Sequence, residues 1–208
     1  MEKIIYTAII GNYDSLKEPT VKTPGWKYIC YTDQPNLRSK KWQIIKWEFI
    51  DDKSPRFLKL IVPFRYDLCI WIDASVQINC NLNTFLNRYF IDDLTVLTHP
   101  SRKCIYEEAK VCIERSKDKK EVIEAQIEKY KSEKYPINNG MVATGMIIRR
   151  QSNKVDEFCL KWWEEVRNYS RRDQLSFNYI QWKTKTSYIT LPFSLLKKEF
   201  KLHSHLKR

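Results

Sequence analysis

The chain has 208 residues, of which 43% are hydrophobic and 13% aromatic, a composition typical of a folded globular protein and not of a disordered one. Lysine and arginine number 37 against 25 aspartates and glutamates, so the formal net charge is +12. This charge favours anionic partners such as nucleic acid, acidic lipid or phosphorylated substrates, although a solvated lysine-rich surface gives the same balance. The length suits one domain over residues 1–208, and no stretch approaches the ~20 apolar residues of a membrane-spanning helix.

The six cysteines lie mostly within apolar stretches, as in Leu68-Cys69-Ile70, and none forms a Cys-x-x-Cys pair. Their spacing does not suit zinc, and the chain has only three histidines. We therefore predict reduced core cysteines in a cytoplasmic protein. The apolar run over residues 3–10 is too short for a signal peptide and leads directly into a turn.

Hydrophobic patterning predicts an alternation of strands and helices. The near-continuous apolar run 3–10 predicts a strand covered on both faces, ended by the turn Gly11-Asn12-Tyr13-Asp14. Further strands are predicted at residues 26–32, 42–47, 67–73, 76–78, 94–97 and 141–148, and a last one at 187–191. Helices are predicted at residues 54–66 with Ser54 as N-cap, 82–90, 103–132 with a break at 116–120, 152–169, and from about 173. This order predicts an α/β fold with a mixed, mostly parallel central sheet flanked by helices.

The segment Cys69-Ile70-Trp71-Ile72-Asp73-Ala74-Ser75 brings a carboxylate to the end of a buried strand. Ligands of open α/β sheets bind outside the carboxyl ends of strands, and Mg²⁺ or Mn²⁺ prefers oxygen ligands and bridges well to a diphosphate. Asp73 and Ser75 are therefore candidate metal ligands. Read alone, Asp-Ala-Ser is equally typical of a turn or a helix cap.

The strand that ends in Trp71-Ile72-Asp73-Ala74-Ser75 resembles the Asp-x-Asp segment of GT-A glycosyltransferases, with serine in place of the second aspartate. Other blocks resemble that fold in the same order. They are residues 6–14 (donor-binding strand and loop), 31–33 (base or ribose contact), 56–59 (helix before the metal strand) and 139–150 (strand beside the transferred sugar). Together the blocks resemble a family of bacterial and plant hexosyltransferase-like domains, formerly a domain of unknown function, with a glycogenin-like layout.

This resemblance implies a hexosyltransferase that uses a nucleotide-sugar donor, expected to be UDP-linked, with Mn²⁺ or Mg²⁺ and a glycan or lipid-linked acceptor. The donor-binding residues that it implies are Thr7, Ala8, Tyr13, Asp33, Arg56, Lys59, Asp73, Ala74, Ser75, Thr144 and Gly145. A C-terminal histidine often completes the metal site of such enzymes. His203 and His205 are the candidates, and we favour His205 as a metal ligand beside Asp73 and Ser75. The tail from Leu202 could equally be an unstructured basic segment.

Asp173 is the second catalytic candidate beside Asp73. The resemblance implies that it reaches the reaction centre, either as general base for the acceptor hydroxyl or as a group that orients the donor sugar. Its place at the start of a helix also suits an N-cap. Arg56 and Lys59 share one helical face and could hold the diphosphate, or they could form a solvated basic face.

Three other interpretations stay open. A nucleic-acid-binding module fits the charge, but the basic residues are scattered and no binding motif is present. A nucleotidyltransferase would need a glycine-rich phosphate loop after the first strand, where this chain has only Gly11. A non-catalytic relative is disfavoured by the presence of Asp73 and Asp173. No nucleic-acid partner is expected, whereas the basic surface suits peripheral contact with the inner, anionic face of a membrane.

Overall fold

The computed structural model describes residues 1–11 and 14–204, without the side chains of residues 63 and 64. The strands are β1 Lys3–Ile9, β2 Lys27–Thr32, β3 Gln43–Lys46, β4 Leu68–Ile72, β5 Val76–Ile78, β6 Leu94–Thr98, β7 Val142–Arg150, β8 Ile189–Leu191 and β9 Phe200–Leu202. The helices are α1 Ser54–Leu60, α2 Leu82–Tyr89, α3 Ile105–Glu114, α4 Lys120–Ser132, α5 Asn153–Asn168, α6 Gln174–Thr184 and α7 Leu195–Lys198, and a 3₁₀ helix Val62–Arg65 follows α1.

Within the described residues, seven strands form a central sheet in the order β3-β2-β1-β4-β7-β6-β8. Six of them run in one direction, and β7 is antiparallel to its neighbours β4 and β6. The predicted fold class is confirmed: a mixed, mostly parallel sheet is flanked by helices, an arrangement consistent with a GT-A-like domain.

Apolar side chains cover both faces of the sheet, as the continuous hydrophobic runs predict. One core contains residues of α1, α3, α4, α5 and α6, and the core on the opposite face contains residues of α2 and α7. All five residues of β4 are buried. No disulfide joins the six cysteines, all of which lie in the described ranges; five are buried, and Cys80 is partly exposed.

Helix α1 and the last described strand differ from the prediction. Helix α1 begins with Ser54 as its first residue, with Lys53 as N-cap, and it ends at Leu60. The earlier end follows from Pro63, which has no N–H to continue the helix. The strand at 189–191 is not the last one, because β9 follows it and pairs antiparallel with β5.

The pairing of β6 with β7 is interrupted beside the carboxyl end of β4. Val96 pairs with Ile147, whereas the next residue, Leu97, pairs with Ala143. Residues 144–146 of β7 therefore bulge out of the register with β6. None of the helices in the described ranges has the length and apolar character that a bilayer-spanning segment requires.

Candidate active site

The candidate site lies where β1 and β4 end side by side. The two strands are parallel and pair Tyr6 with Trp71, so Ala8 and Asp73 come two residues later at the same sheet edge. On the other side, the Asp73 amide donates a hydrogen bond of 2.9 Å to the carbonyl of Gly145 in β7. The carboxyl edge of a largely parallel sheet is where ligands of α/β proteins bind.

The Asp73 side chain is half-exposed rather than packed in the core, with 44% of its surface accessible. The Trp71 indole Nε1 donates to Asp73 Oδ1 at 2.9 Å, which fixes one carboxylate oxygen. A Cβ atom at Gly145 would lie only 3.3 Å from Asp73 Oδ2. Glycine at 145 therefore gives the carboxylate room on the side where β7 bulges.

Asp173 precedes α6, and its side chain is 4% exposed. Its Oδ2 accepts hydrogen bonds from the Lys59 ammonium at 2.6 Å and from the Thr144 hydroxyl at 2.9 Å, while Arg56 Nε lies 3.8 Å from Oδ1. Within the described chain the side chain makes no capping bond to α6, so the N-cap interpretation does not explain where it points.

The electrostatics of Asp173 follow from these contacts. Burial favours the neutral acid, but the charges of Lys59 and Arg56 and the Lys59 hydrogen bond outweigh it and lower the pKa to about 2. Asp173 is therefore a carboxylate throughout the physiological pH range.

Lys59 connects the two candidate catalytic acids. Its ammonium is 2.6 Å from Asp173 Oδ2 and 3.9 Å from Asp73 Oδ1, and it lies 5.5 Å from the centre of the Trp71 ring. The side chain is only 5% exposed, whereas that of Arg56 is 26% exposed. Two cations, Arg56 and Lys59, thus stand beside the two carboxylates. Of the two cations, Arg56 is the more exposed to solvent.

The other predicted donor residues lie at the same sheet edge with different surroundings. Thr7 is buried, and its hydroxyl has no hydrogen-bond partner among the described residues. Ala8 is half-buried. Ala74 and Ser75 are buried, and Ala74 packs in the core on the α2 and α7 side.

Asp33 follows β2 and shapes the loop after β1. Both of its carboxylate oxygens lie 3.0 Å from the amide nitrogen of Gly11, which donates to them. Asp33 also borders an open cleft of about 430 Å³. The residues that line this cleft are Thr32, Asp33, Lys46, Trp47, Glu48 and Phe49.

Two of the predicted residues, Tyr13 and His205, lie outside the described residues. The described chain nevertheless approaches the Asp73 segment from its C-terminal side, because the His203 amide donates to the carbonyl of Ser75 at 2.8 Å. Over residues 1–11 and 14–204, no group of three or more His, Cys, Asp or Glu side chains is arranged to hold a metal ion.

Neither the hydrogen bond from Trp71 to Asp73 nor the position of Lys59 between Asp73 and Asp173 was predicted from the sequence. Trp71 could have been found, because residues two apart on a strand point to the same face and its indole can therefore reach Asp73. His99 has a structural contact after β6: its Nδ1 accepts hydrogen bonds from the backbone amides of Ser101 and Arg102.

The mixed, mostly parallel sheet flanked by helices is consistent with a GT-A-like α/β domain. Residues 50–203 match the family model described as TOD1/MUCI70, glycosyltransferase-like domain, and because the match covers more than half of the chain, the chain belongs to this family. No curated protein matches the chain. The matched region includes Arg56, Lys59, Asp73 and Asp173. It begins after β1, β2 and β3, so the family match does not extend to the residues of these strands.

Proposed function

We propose that this chain is a GT-A-type hexosyltransferase that transfers a sugar from a nucleotide-diphosphate donor, expected to be UDP-linked, to a glycan or lipid-linked acceptor. The observation that carries the proposal is the contact of Lys59 with both Asp73 and Asp173 at the carboxyl edge of the sheet. A glycosyltransferase-like domain takes a sugar donor and an acceptor, and this cluster is a polar site of the kind that the reaction requires.

The donor would extend along the sheet edge from the cleft beside Asp33 to Asp73. The cleft of about 430 Å³ has room for a nucleoside, with Asp33 and the aromatic residues Trp47 and Phe49 in its wall. Arg56 is the accessible cation of the cluster, and its guanidinium suits the oxygens of a diphosphate. The choice of uridine rests on the resemblance to the wider fold.

A divalent cation is the cofactor that this family resemblance implies, and the donor set fits one held in part by substrate. Asp73 offers a half-exposed carboxylate, and Ser75 is two residues away. Mg²⁺ commonly binds through one or two carboxylates and completes its shell with water and phosphate oxygens, so one carboxylate is enough. Asp73, with Ser75 and His205 as further proposed ligands, would hold a cation that neutralises the leaving diphosphate.

Asp173 is better suited to orient groups than to accept a proton. Its Oδ2 already accepts from Lys59 and Thr144, and the side chain is buried. A carboxylate with a pKa of about 2 is also a weak base for an acceptor hydroxyl. Of its two possible roles, we therefore favour the one in which Asp173 holds Lys59 and orients the donor sugar.

The test is a screen of nucleotide sugars for transfer and hydrolysis, with and without manganese, in the wild type and in Asp73→Asn. We expect UDP with Mn²⁺ to raise the unfolding temperature of the wild type, since a ligand that binds only the folded state stabilises it. Asp73→Asn should lose this stabilisation and lower transfer by roughly 100-fold or more while remaining folded.

Asp93→Asn is the matched control, because Asp93 has the same exposed fraction as Asp73 but lies before β6 and pairs with Arg150. It should behave as wild type. Transfer at the wild-type rate by Asp73→Asn, or melting temperatures indifferent to every nucleoside diphosphate tested with metal, would contradict the proposal.

A further inference from the structure

Arg149 is a buried guanidinium whose hydrogen-bond partners are all uncharged. It lies on β7 and is 3% exposed. Its Nη1 donates to the carbonyl of Leu60 at 3.3 Å and to Cys159 Sγ at 3.4 Å, and its Nη2 donates to the carbonyl of Lys59 and to the Tyr6 hydroxyl. Its Nε has no hydrogen-bond partner within the described residues.

Burial of the Arg149 charge does not by itself stabilise the fold. A buried charge without a carboxylate loses its hydration, and an apolar side chain of similar volume would fill the space at less cost. The partial negative charge at the C-terminal end of a helix compensates part of this cost, since Lys59 and Leu60 are the last two residues of α1.

The carbonyl of Lys59 needs donors from elsewhere in the fold. In a continuous helix it would accept from the amide four residues later, but that residue is Pro63, which has no N–H. Arg149 from β7 and Tyr6 from β1, whose hydroxyl donates at 2.6 Å, supply hydrogen bonds to this carbonyl instead. The main chain of Lys59 is thereby held by two strands of the central sheet.

The side chain of Lys59 leads in turn to the site, with its ammonium 2.6 Å from Asp173 and 3.9 Å from Asp73. A lysine side chain has many rotamers, so the place of its ammonium depends on how firmly its backbone is held. A displacement of the end of α1 would move the ammonium away from one acid or both.

We propose that Arg149 is a positioning residue for glycosyl transfer: by holding the carbonyls at the end of α1, it fixes the Lys59 ammonium between Asp73 and Asp173. The inference rests on the proposed transferase function. It assigns to β7 a second role, since the same strand also contributes Thr144 and Gly145 to the site.

The experiment compares Arg149→Met and Arg149→Lys with wild type in two measurements. The first is steady-state transfer, in which we expect Arg149→Met to lower kcat by roughly tenfold to 100-fold with a much smaller change in the donor KM. The second needs no substrate: acetic anhydride labels lysines, and mass spectrometry measures the rate at Lys59. In Arg149→Met this rate should rise on the order of tenfold, because the end of α1 opens more often. Arg149→Lys should have a kcat and a labelling rate between those of Arg149→Met and wild type.

Leu86→Ala is the control for stability, because Leu86 is a buried residue of α2 in the core on the opposite face of the sheet. It should lower the unfolding temperature without changing kcat or the labelling of Lys59. If Arg149→Met does not fold, Tyr6→Phe removes only one hydroxyl from the Lys59 carbonyl and should shift both measurements in the same direction by less.

If the folded Arg149 and Tyr6 variants have the same Lys59 labelling rate and the same kcat as Leu86→Ala, the proposed role of Arg149 is wrong. Absence of transfer and hydrolysis by the wild type with every donor would instead overturn the proposed function, and with it the catalytic meaning of the Lys59 position. The two failures are thus separated by the labelling rate.

Discussion

At the scale of single residues, the site depends on a contact that no local sequence pattern indicates. Lys59 and Asp173 are separated by more than 100 positions, yet their charged atoms are 2.6 Å apart. The sequence suggested both residues, because their blocks resemble those of a known fold. It could not pair them, since the pairing depends on how α1 and α6 pack on one face of the sheet.

The same contact makes a prediction about acid stability. The Asp173 pKa is lowered from 3.8 to about 2, so its ionised form stabilises the folded state. This contribution, about 2 kcal/mol, is fully present above pH 4 or so and is lost as the pH falls towards 2. Asp173→Asn should therefore be less stable than wild type at pH 7, and the difference should shrink as the pH falls from about 4 to 2. Urea unfolding over this pH range measures it.

The kinetic counterpart is that Asp173→Asn should lower turnover more than donor affinity. The wild type should have no acidic limb from this group above about pH 4, because it is already ionised there. Asp93→Asn, at an exposed ion pair with Arg150, provides the comparison and should change stability very little. A stability difference that persists unchanged at pH 2 would show that the charge of Asp173 contributes nothing.

At the scale of elements, hydrophobic patterning predicted most strands and helices, because each has one or two faces buried against the sheet. The helix predicted over 152–169 is found as α5, and the charged region 103–132 is divided into α3 and α4. The patterning could not predict the bulge in β7 at residues 144–146 or the pairing of β9 with β5, because register depends on partners far away in the chain.

Gly145, in the bulge, allows the position of the Asp73 carboxylate to be tested by a substitution that does not strain the backbone. Its φ is not positive, but an alanine Cβ would lie 3.3 Å from Asp73 Oδ2 and would force the carboxylate to move. Gly145→Ala should keep its stability within about 1 kcal/mol of wild type and lower turnover by roughly tenfold.

Gly25→Ala is the converse control, since Gly25 has a φ of +80° and nothing within 4 Å of the added Cβ. It should lose about 1 kcal/mol or more of stability and keep its turnover. Denaturant unfolding and donor hydrolysis separate the two substitutions. Normal turnover in Gly145→Ala would mean that the place of the Asp73 carboxylate is not critical.

At the scale of the whole molecule, the net charge of +12 is the property that the site does not explain. The cluster of Arg56, Lys59, Asp73 and Asp173 is balanced, so the excess positive charge lies elsewhere. A basic surface is attracted to anionic lipid, and this attraction is screened by salt.

We therefore expect the protein to sediment at low salt with vesicles that contain phosphatidylserine and to be released as the salt concentration increases. It should not bind vesicles of phosphatidylcholine alone. Duplex DNA serves as a competitor, because binding that follows phosphate content regardless of lipid would favour a nucleic-acid partner. Full activity on soluble acceptors, together with no vesicle binding at low salt, would remove the membrane hypothesis.

The pairing of β9 with β5 also determines where a spectroscopic reporter is informative. β1 begins at the opposite sheet edge from Asp73, whereas the amide of His203 is bonded to Ser75. A fluorophore attached at Ser204 therefore lies next to the segment that follows β4. It should transfer energy to a fluorescent sugar nucleotide more efficiently than a fluorophore attached at Lys3, where β1 begins.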